Sequence, residues 1–305
     1  MNEMQRYLAE EVAEDLADGI INRREAIRRL GLLGVTGAAA TGLLATFAAG
    51  EAAAASGSEN SDQDGGHGGS QTVWAPVPRE SITFAGPRVP LMAAWAPAAE
   101  PRGGVLVIHE NRGLNEHIRT VAGRIAASGY SALALDLLSE EGGTGAFPGE
   151  AEVAAALAQI PPERHVADMK ASLTELRRRV RGKKLAAIGF CFGGAMVWRL
   201  LTSNEPRLAA GAPFYGPFPE GASFKGSRAA VLGVYGGLDT RVTDTLPAAK
   251  AALEAEGLRY ELLVFAEANH AFFNDTGARF NPHAATEAWR RALNWFDAAG
   301  DSDDD

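Results

Sequence analysis

The stretch IGFCFGGAM, Ile188 to Met196, decides how this chain is read, and it holds the only cysteine in 305 residues. Upstream of the cysteine, LAAIGF is a short continuous apolar run, the signature of a strand buried on both faces. Downstream, GGAMVWRLLTS reads as a helix. Gly189-Phe190-Cys191-Phe192-Gly193 is then a strand-to-helix turn with cysteine at its apex. Side chains flanking so tight a turn would collide with neighbouring backbone, which explains the glycines. A lone cysteine is more often a small buried hydrophobe than a reagent. Here the position argues for a reagent, because the helix N-terminus that follows favours a thiolate and any oxyanion beside it. G-x-C-x-G is also the G-x-S-x-G nucleophile elbow with a thiol in place of the hydroxyl.

Working outward, the same alternation of buried strand and helix recurs. SITFAG and LMAAWAP form a strand pair about a turn at Gly86–Pro87, and GGVLVIHE is a third strand. A helix follows, with Asn115 as N-cap and Gly129 as stop. YSALALDLL is the next strand, and helices follow at 150–159 and 162–180. After the elbow, RLAAGAPFYG, AAVLGVYGG and YELLVFAE are further strands, with helices near 244–256 and 284–296. Buried strands alternating with helices predict an α/β domain with a mostly parallel central sheet covered by helices, and ligands at the C-terminal strand ends. Its expected extent is 72–298.

The residues before it have another character. Arg23–Arg24 and Arg28–Arg29 precede an uncharged run from Leu30 to Gly50, followed by small residues near Ala53–Ala55. Basic, apolar, then small is the layout of an export signal, here over 1–55, and the arginine pair resembles the twin-arginine type. The run is also long enough for an uncleaved membrane anchor. A Gly/Ser-rich linker at 56–71 and an acidic tail at 299–305 bracket the domain. His67 lies in the linker, and His117, His165 and His283 show no metal-like spacing, so surface positions are expected for them. The net charge of −9 offers no basic surface for nucleic acid. One cysteine cannot form an intrachain disulfide.

An elbow nucleophile needs an acid and a histidine later in the chain, in that order. VLGVYGGLDTRV puts Asp239 just past a strand, and YELLVFAEANHAFFN puts His270 just past the last one. Asp244 competes for the acid role but reads better as the N-cap of the next helix. His109 and Glu110 close the first parallel strand. The loop after that strand supplies one oxyanion donor in such hydrolases, and the residue after the nucleophile supplies the other. That nominates the backbone N–H groups of Asn111 and Phe192.

HENRGLN, LALDLL, GFCFGG, APFYG, GGLD and NHAFFND, in that order over Ile82 to Phe296, resemble the dienelactone hydrolase (carboxymethylenebutenolidase) family of α/β-hydrolases. The resemblance implies Cys191 as nucleophile, His270 as base, Asp239 as its orienter, and Glu110 as a glutamate beside the resting thiol that helps ionise it. It implies Tyr215, Phe272 and Asn274 on the substrate side. It also implies a small ester or lactone as substrate, a thioester acyl-enzyme, and no metal or organic cofactor. The best-known family member binds its substrate's carboxylate through two arginines. One of them lies four residues after the catalytic histidine, where this chain has Asn274. Two other readings fit the sequence: an exported binding protein on an idle hydrolase fold, and a DJ-1/PfpI-like cysteine enzyme.

Overall fold

The computed structural model describes residues 1–55 and 79–300. The expected linker with His67 lies outside the described residues, as does the tail beyond Gly300. The chain divides into two compact units, Met1–Trp74 with Pro148–Gln159, and Ala75–Phe147 with Ile160–Asp305.

The first unit is helical. Helices α1 (Glu3–Ala17), α2 (Arg23–Leu32), α3 (Gly37–Ala55) and α5 (Glu150–Gln159) pack on one another, α1 touching each of the other three. Asn2 starts α1 with a reciprocal capping box to Gln5, satisfying two N–H groups that have no intrahelical acceptor. Asn22 caps α2. Arg28 pairs with Glu25 on its own helix and with Glu152 of α5, and Arg29 with Glu25 and Asp15. Arg23 and Arg24 are exposed in the first turn of α2. Among the described residues, no helix is long and apolar enough to cross a membrane.

The second unit is an eight-stranded sheet flanked by helices. Its strands are β1 (Glu80–Phe84), β2 (Leu91–Ala96), β3 (Gly103–Ile108), β4 (Tyr130–Leu135), β5 (Leu185–Phe190), β6 (Leu208–Phe214), β7 (Ala230–Gly236) and β8 (Tyr260–Phe265). Their order is β1-β2-β4-β3-β5-β6-β7-β8, with β1 and β2 antiparallel and every pairing from β4 to β8 parallel. Every residue of β3, β4, β5 and β7 is buried, as their unbroken apolar runs require of strands covered on both faces. The helices are α4 (Glu116–Ala127), α6 (Pro162–Arg179), α7 (Phe192–Leu201), the short α8 (Thr240–Thr243), α9 (Leu246–Ala255) and α10 (Pro282–Gly300). Asn115 caps α4 through Ile118 N–H, and Gly129 reverses the chain at φ +88°.

Three expectations are corrected. Asp244 does not cap the following helix: it ends α8, and Thr245 holds the N-cap position of α9. His117 and His165 are buried, at 6% and 1% exposure, whereas His283 is exposed. Both lie on the apolar stripe of their helices, His117 with Val121 and Ile125, His165 with Met169 and Leu173. The i, i+4 rule puts such residues against the sheet whatever their polarity.

Candidate active site

The register of the central strands sets the site. Ile108 pairs with Gly189, so Glu110 and Cys191 each stand two residues beyond that level, side by side at the C-terminal edge. The chain turns from β5 into α7 at Cys191, with φ 55° and ψ −118°, a conformation that non-glycine residues avoid. The turn is held because Cys191 N–H donates to Phe214 O at 3.0 Å and Cys191 O accepts from Ala195 N–H at 3.1 Å. A Cβ on Gly189 would stand 2.2 Å from Gly193 O, and one on Gly193 would stand 2.4 Å from Ile108 O. The two flanking glycines are therefore required by close backbone approach.

His270 and Asp239 complete the group. Asp239 follows β7 and caps α8, and His270 follows β8. The His270 Nδ1 to Asp239 Oδ2 distance is 2.6 Å with both side chains buried. On its other side His270 faces Cys191, whose Sγ lies within 4.8 Å of a ring nitrogen. Burial works against a charged His270, but the charges of Asp239 and Cys191 outweigh it and hold the imidazole well above its ordinary range. Burial likewise opposes ionisation of Asp239, and His270 outweighs it, so Asp239 falls below the usual carboxylate range. Arg241, 3.8 Å from Asp239, adds to that.

Glu110 is buried beside the elbow. Asn274 Nδ2 donates to its Oε2 at 2.7 Å, and Tyr215 Oη lies 3.5 Å from its Oε1. Tyr215 has a positive φ of 36°, and its ring stands 5.3 Å from that of His270 and 5.5 Å from that of Phe272. Cys191, His270, Asp239, Glu110, Tyr215, Phe272 and Asn274, each nominated from sequence, are thus joined by direct contacts or lie side by side at one sheet edge. Phe192 opens α7, where the first N–H groups have no intrahelical acceptor, and Asn111 begins the turn after Glu110. The His165 ring packs edge-on against Phe192, centroids 5.4 Å apart.

Two further groups carry the site without having been nominated. His109 accepts Leu137 N–H at Nε2, 3.2 Å away, and its Nδ1 donates to Glu110 O at 2.6 Å. Burial pushes its pKa down, in keeping with a neutral ring, and the ring ties β3's exit to β4's. His117 contacts Asp275. The apolar stripe of α4 is the sequence signal for His117, and the signal for His109 is its place beside Glu110 at the end of the first parallel strand.

A parallel sheet of this order, with nucleophile elbow, acid and histidine at successive strand ends, defines an α/β-hydrolase. Residues 92–300 match the model of the dienelactone hydrolase family, and the chain belongs to that family. It is similar to a provisionally named carboxymethylenebutenolidase of Escherichia coli O157:H7, 31% identical over 210 residues, 64% of this chain and 77% of that one. Among solved structures, a provisionally named dienelactone hydrolase of Klebsiella pneumoniae subsp. pneumoniae superposes with a TM-score of 0.64 at 27% identity. It covers 73% of this chain and 99% of its own. A dienelactone hydrolase-like promiscuous phosphotriesterase from metagenomic libraries gives a TM-score of 0.61 at 25% identity, covering 74% and 99%. The protein is accordingly a hydrolase of carboxylic esters or lactones with a small-molecule substrate.

Proposed function

We propose that the chain hydrolyses esters or lactones through a Cys191–His270–Asp239 triad and a thioester acyl-enzyme. One observation carries this reading: a cysteine in the strained elbow conformation, within 4.8 Å of the ring nitrogen of a histidine that is itself 2.6 Å from a buried aspartate. The thiolate of Cys191 attacks the carbonyl carbon, and the backbone N–H groups of Phe192 and Asn111 take the oxyanion. His270, protonated, gives its proton to the leaving alkoxide, and the C–O bond breaks to leave a thioester. It then takes a proton from water, whose oxygen attacks the thioester and frees the acid and Cys191. Asp239 keeps the ring oriented and compensates the imidazolium charge. Glu110 stands beside the thiol as a proton acceptor for its ionisation. Tyr215, Phe272 and Asn274 line the acyl side.

Steady-state hydrolysis of p-nitrophenyl acetate by the purified full chain, compared with Cys191→Ala, tests the assignment. Turnover that falls to background in the variant is the expected result. Equal rates in both proteins would remove Cys191 from the chemistry.

We further propose export through a twin-arginine-type signal in residues 1–55. The arginine pair ahead of an uncharged run and then small residues supports it. Residues 1–72 fused to a folded reporter should send it out of the cytoplasm, and the Arg23→Lys, Arg24→Lys pair should retain it. Retention of the unaltered fusion would refute the proposal.

A further inference from the structure

His117 stands in the first turn of α4, just past the loop that begins with Glu110 and Asn111, and its side chain is only 3% exposed. Its Nδ1 lies 3.1 Å from Asp275 Oδ1. A carboxylate oxygen can only accept, so Nδ1 carries the proton. Nε2 is left a buried acceptor that meets no donor among the described residues. An acceptor in that state is unfavourable, and a leucine on the same stripe would avoid the penalty. Burial keeps the ring neutral against the charges of Glu110 and Asp275 that would protonate it, with Arg124 opposing them.

The other oxygen of Asp275 binds Arg124, two turns along α4 from His117. The residue before Asp275 is Asn274. Thr276 donates its N–H and its hydroxyl to Asn274 Oδ1, at 3.0 and 2.7 Å, which fixes the amide with Nδ2 toward Glu110. Two consecutive side chains of the segment after His270 therefore grip both ends of the segment after β3. Asn274 holds Glu110 at one end, and Asp275 holds His117 and Arg124 at the other.

We propose that His117 is a positioning residue for Glu110: its bond to Asp275 sets the segment after His270 in the register at which Asn274 meets the Glu110 carboxylate. The proposal rests on the reading that Glu110 acts on the Cys191 thiol. Arginine alone would hold Asp275 loosely, on a long side chain with several rotatable bonds. A short imidazole rooted on the same helix adds the second, stiffer point.

The test is the rate of Cys191 alkylation by iodoacetamide at pH 7 in the full chain, which reads the thiol without needing any ester. His117→Leu should change that rate about threefold or more in the wild-type background, and less than about 1.5-fold in Glu110→Gln, since effects that pass through one residue do not add. His117→Asn puts an N–H where Nδ1 stands and should remain within about 1.5-fold of wild type. An unchanged rate in His117→Leu overturns the proposal. So does an equal change in both backgrounds, or an asparagine variant that behaves like the leucine one. Should His117→Leu not fold, Asp275→Ser breaks the same bond and is judged by the same criteria. Alkylation that responds while p-nitrophenyl acetate turnover proves independent of Cys191 would refute the hydrolytic triad and leave the positioning role standing.

Discussion

His270 Nδ1 lies 2.6 Å from Asp239 Oδ2, and neither side chain reaches solvent. A bond that short in a dry setting orients the ring and sustains its positive charge, so that His270 stays protonated beside Cys191 well above the ordinary imidazole range.

Asp239→Asn should therefore weaken the histidine. Hydrolysis of p-nitrophenyl acetate is expected to fall roughly 10²- to 10⁴-fold in kcat. With the carboxylate charge gone, His270 loses its proton at lower pH, so the range in which imidazolium can accompany thiolate contracts from its alkaline side. Iodoacetamide reactivity of Cys191 from pH 5 to 10 measures this. A profile that overlays the wild type would detach Asp239 from the pair.

The elbow stores strain that can be read as stability. Cys191 sits at φ 55°, where a Cβ is unfavourable and glycine is at ease. Cys191→Gly should be inactive yet more stable than Cys191→Ala by about 1 kcal/mol, seen as a higher midpoint in urea unfolding. Equal midpoints would mean that the turn relaxes once the thiol is gone.

Much of this was legible in the sequence for a specific reason. Strands buried on both faces leave unbroken apolar runs, and an elbow leaves glycines at fixed offsets from its nucleophile, so β3, β5, α7 and Cys191 could be placed directly. Asp239 and His270 were legible because topology restricts where they can fall. Residue type alone points His117 and His165 to the surface, whereas position does not, since both obey the helical stripe that buries Val121 and Met169. Asp244 is not the cap that its residue type suggests, because the short helix α8 intervenes, capped by Asp239 itself through Val242 N–H. The joint roles of Asn274 and Asp275 were out of reach, since side chains meeting across 158 and 164 residues leave no local pattern.

Away from the site, Asp168 on α6 offers a pH-dependent test of the fold. It is 1% exposed, and Arg88 Nη2 reaches its Oδ1 at 2.8 Å. Burial raises its pKa from 3.8 to about 6, against the pull of Arg88 and with the help of Glu140. A carboxyl whose folded pKa exceeds its unfolded one binds a proton more readily in the native state. Its ionisation therefore takes stability away as pH rises from about 4 to about 6, and the penalty is constant above that. Asp168→Asn cannot ionise and escapes the penalty. The thermal midpoint of Asp168→Asn minus that of wild type should thus increase between pH 4 and pH 6.5. A difference flat across that window would show that Arg88 already cancels the cost of burial.

Glu110 should also select substrates by charge. Its carboxylate receives the Asn274 amide and the Tyr215 hydroxyl, both uncharged donors, and it lies beside the elbow where the acyl group must sit. As it binds, before Glu110 takes the thiol proton, an acyl group bearing its own carboxylate would approach a like charge, at a cost of about 1–3 kcal/mol for two charges some 6 Å apart in a partly screened site. That corresponds to roughly 5- to 150-fold. The kcat/KM for p-nitrophenyl acetate should exceed that for mono-p-nitrophenyl succinate by this order. Glu110→Gln removes the like charge while keeping the shape, so the ratio should shrink even as both rates fall. The ratio isolates charge from the general loss of thiol activation, because that loss strikes both esters alike. A ratio unchanged by the substitution would mean that the acyl group never approaches Glu110, and selection by charge would have to come from another wall of the site.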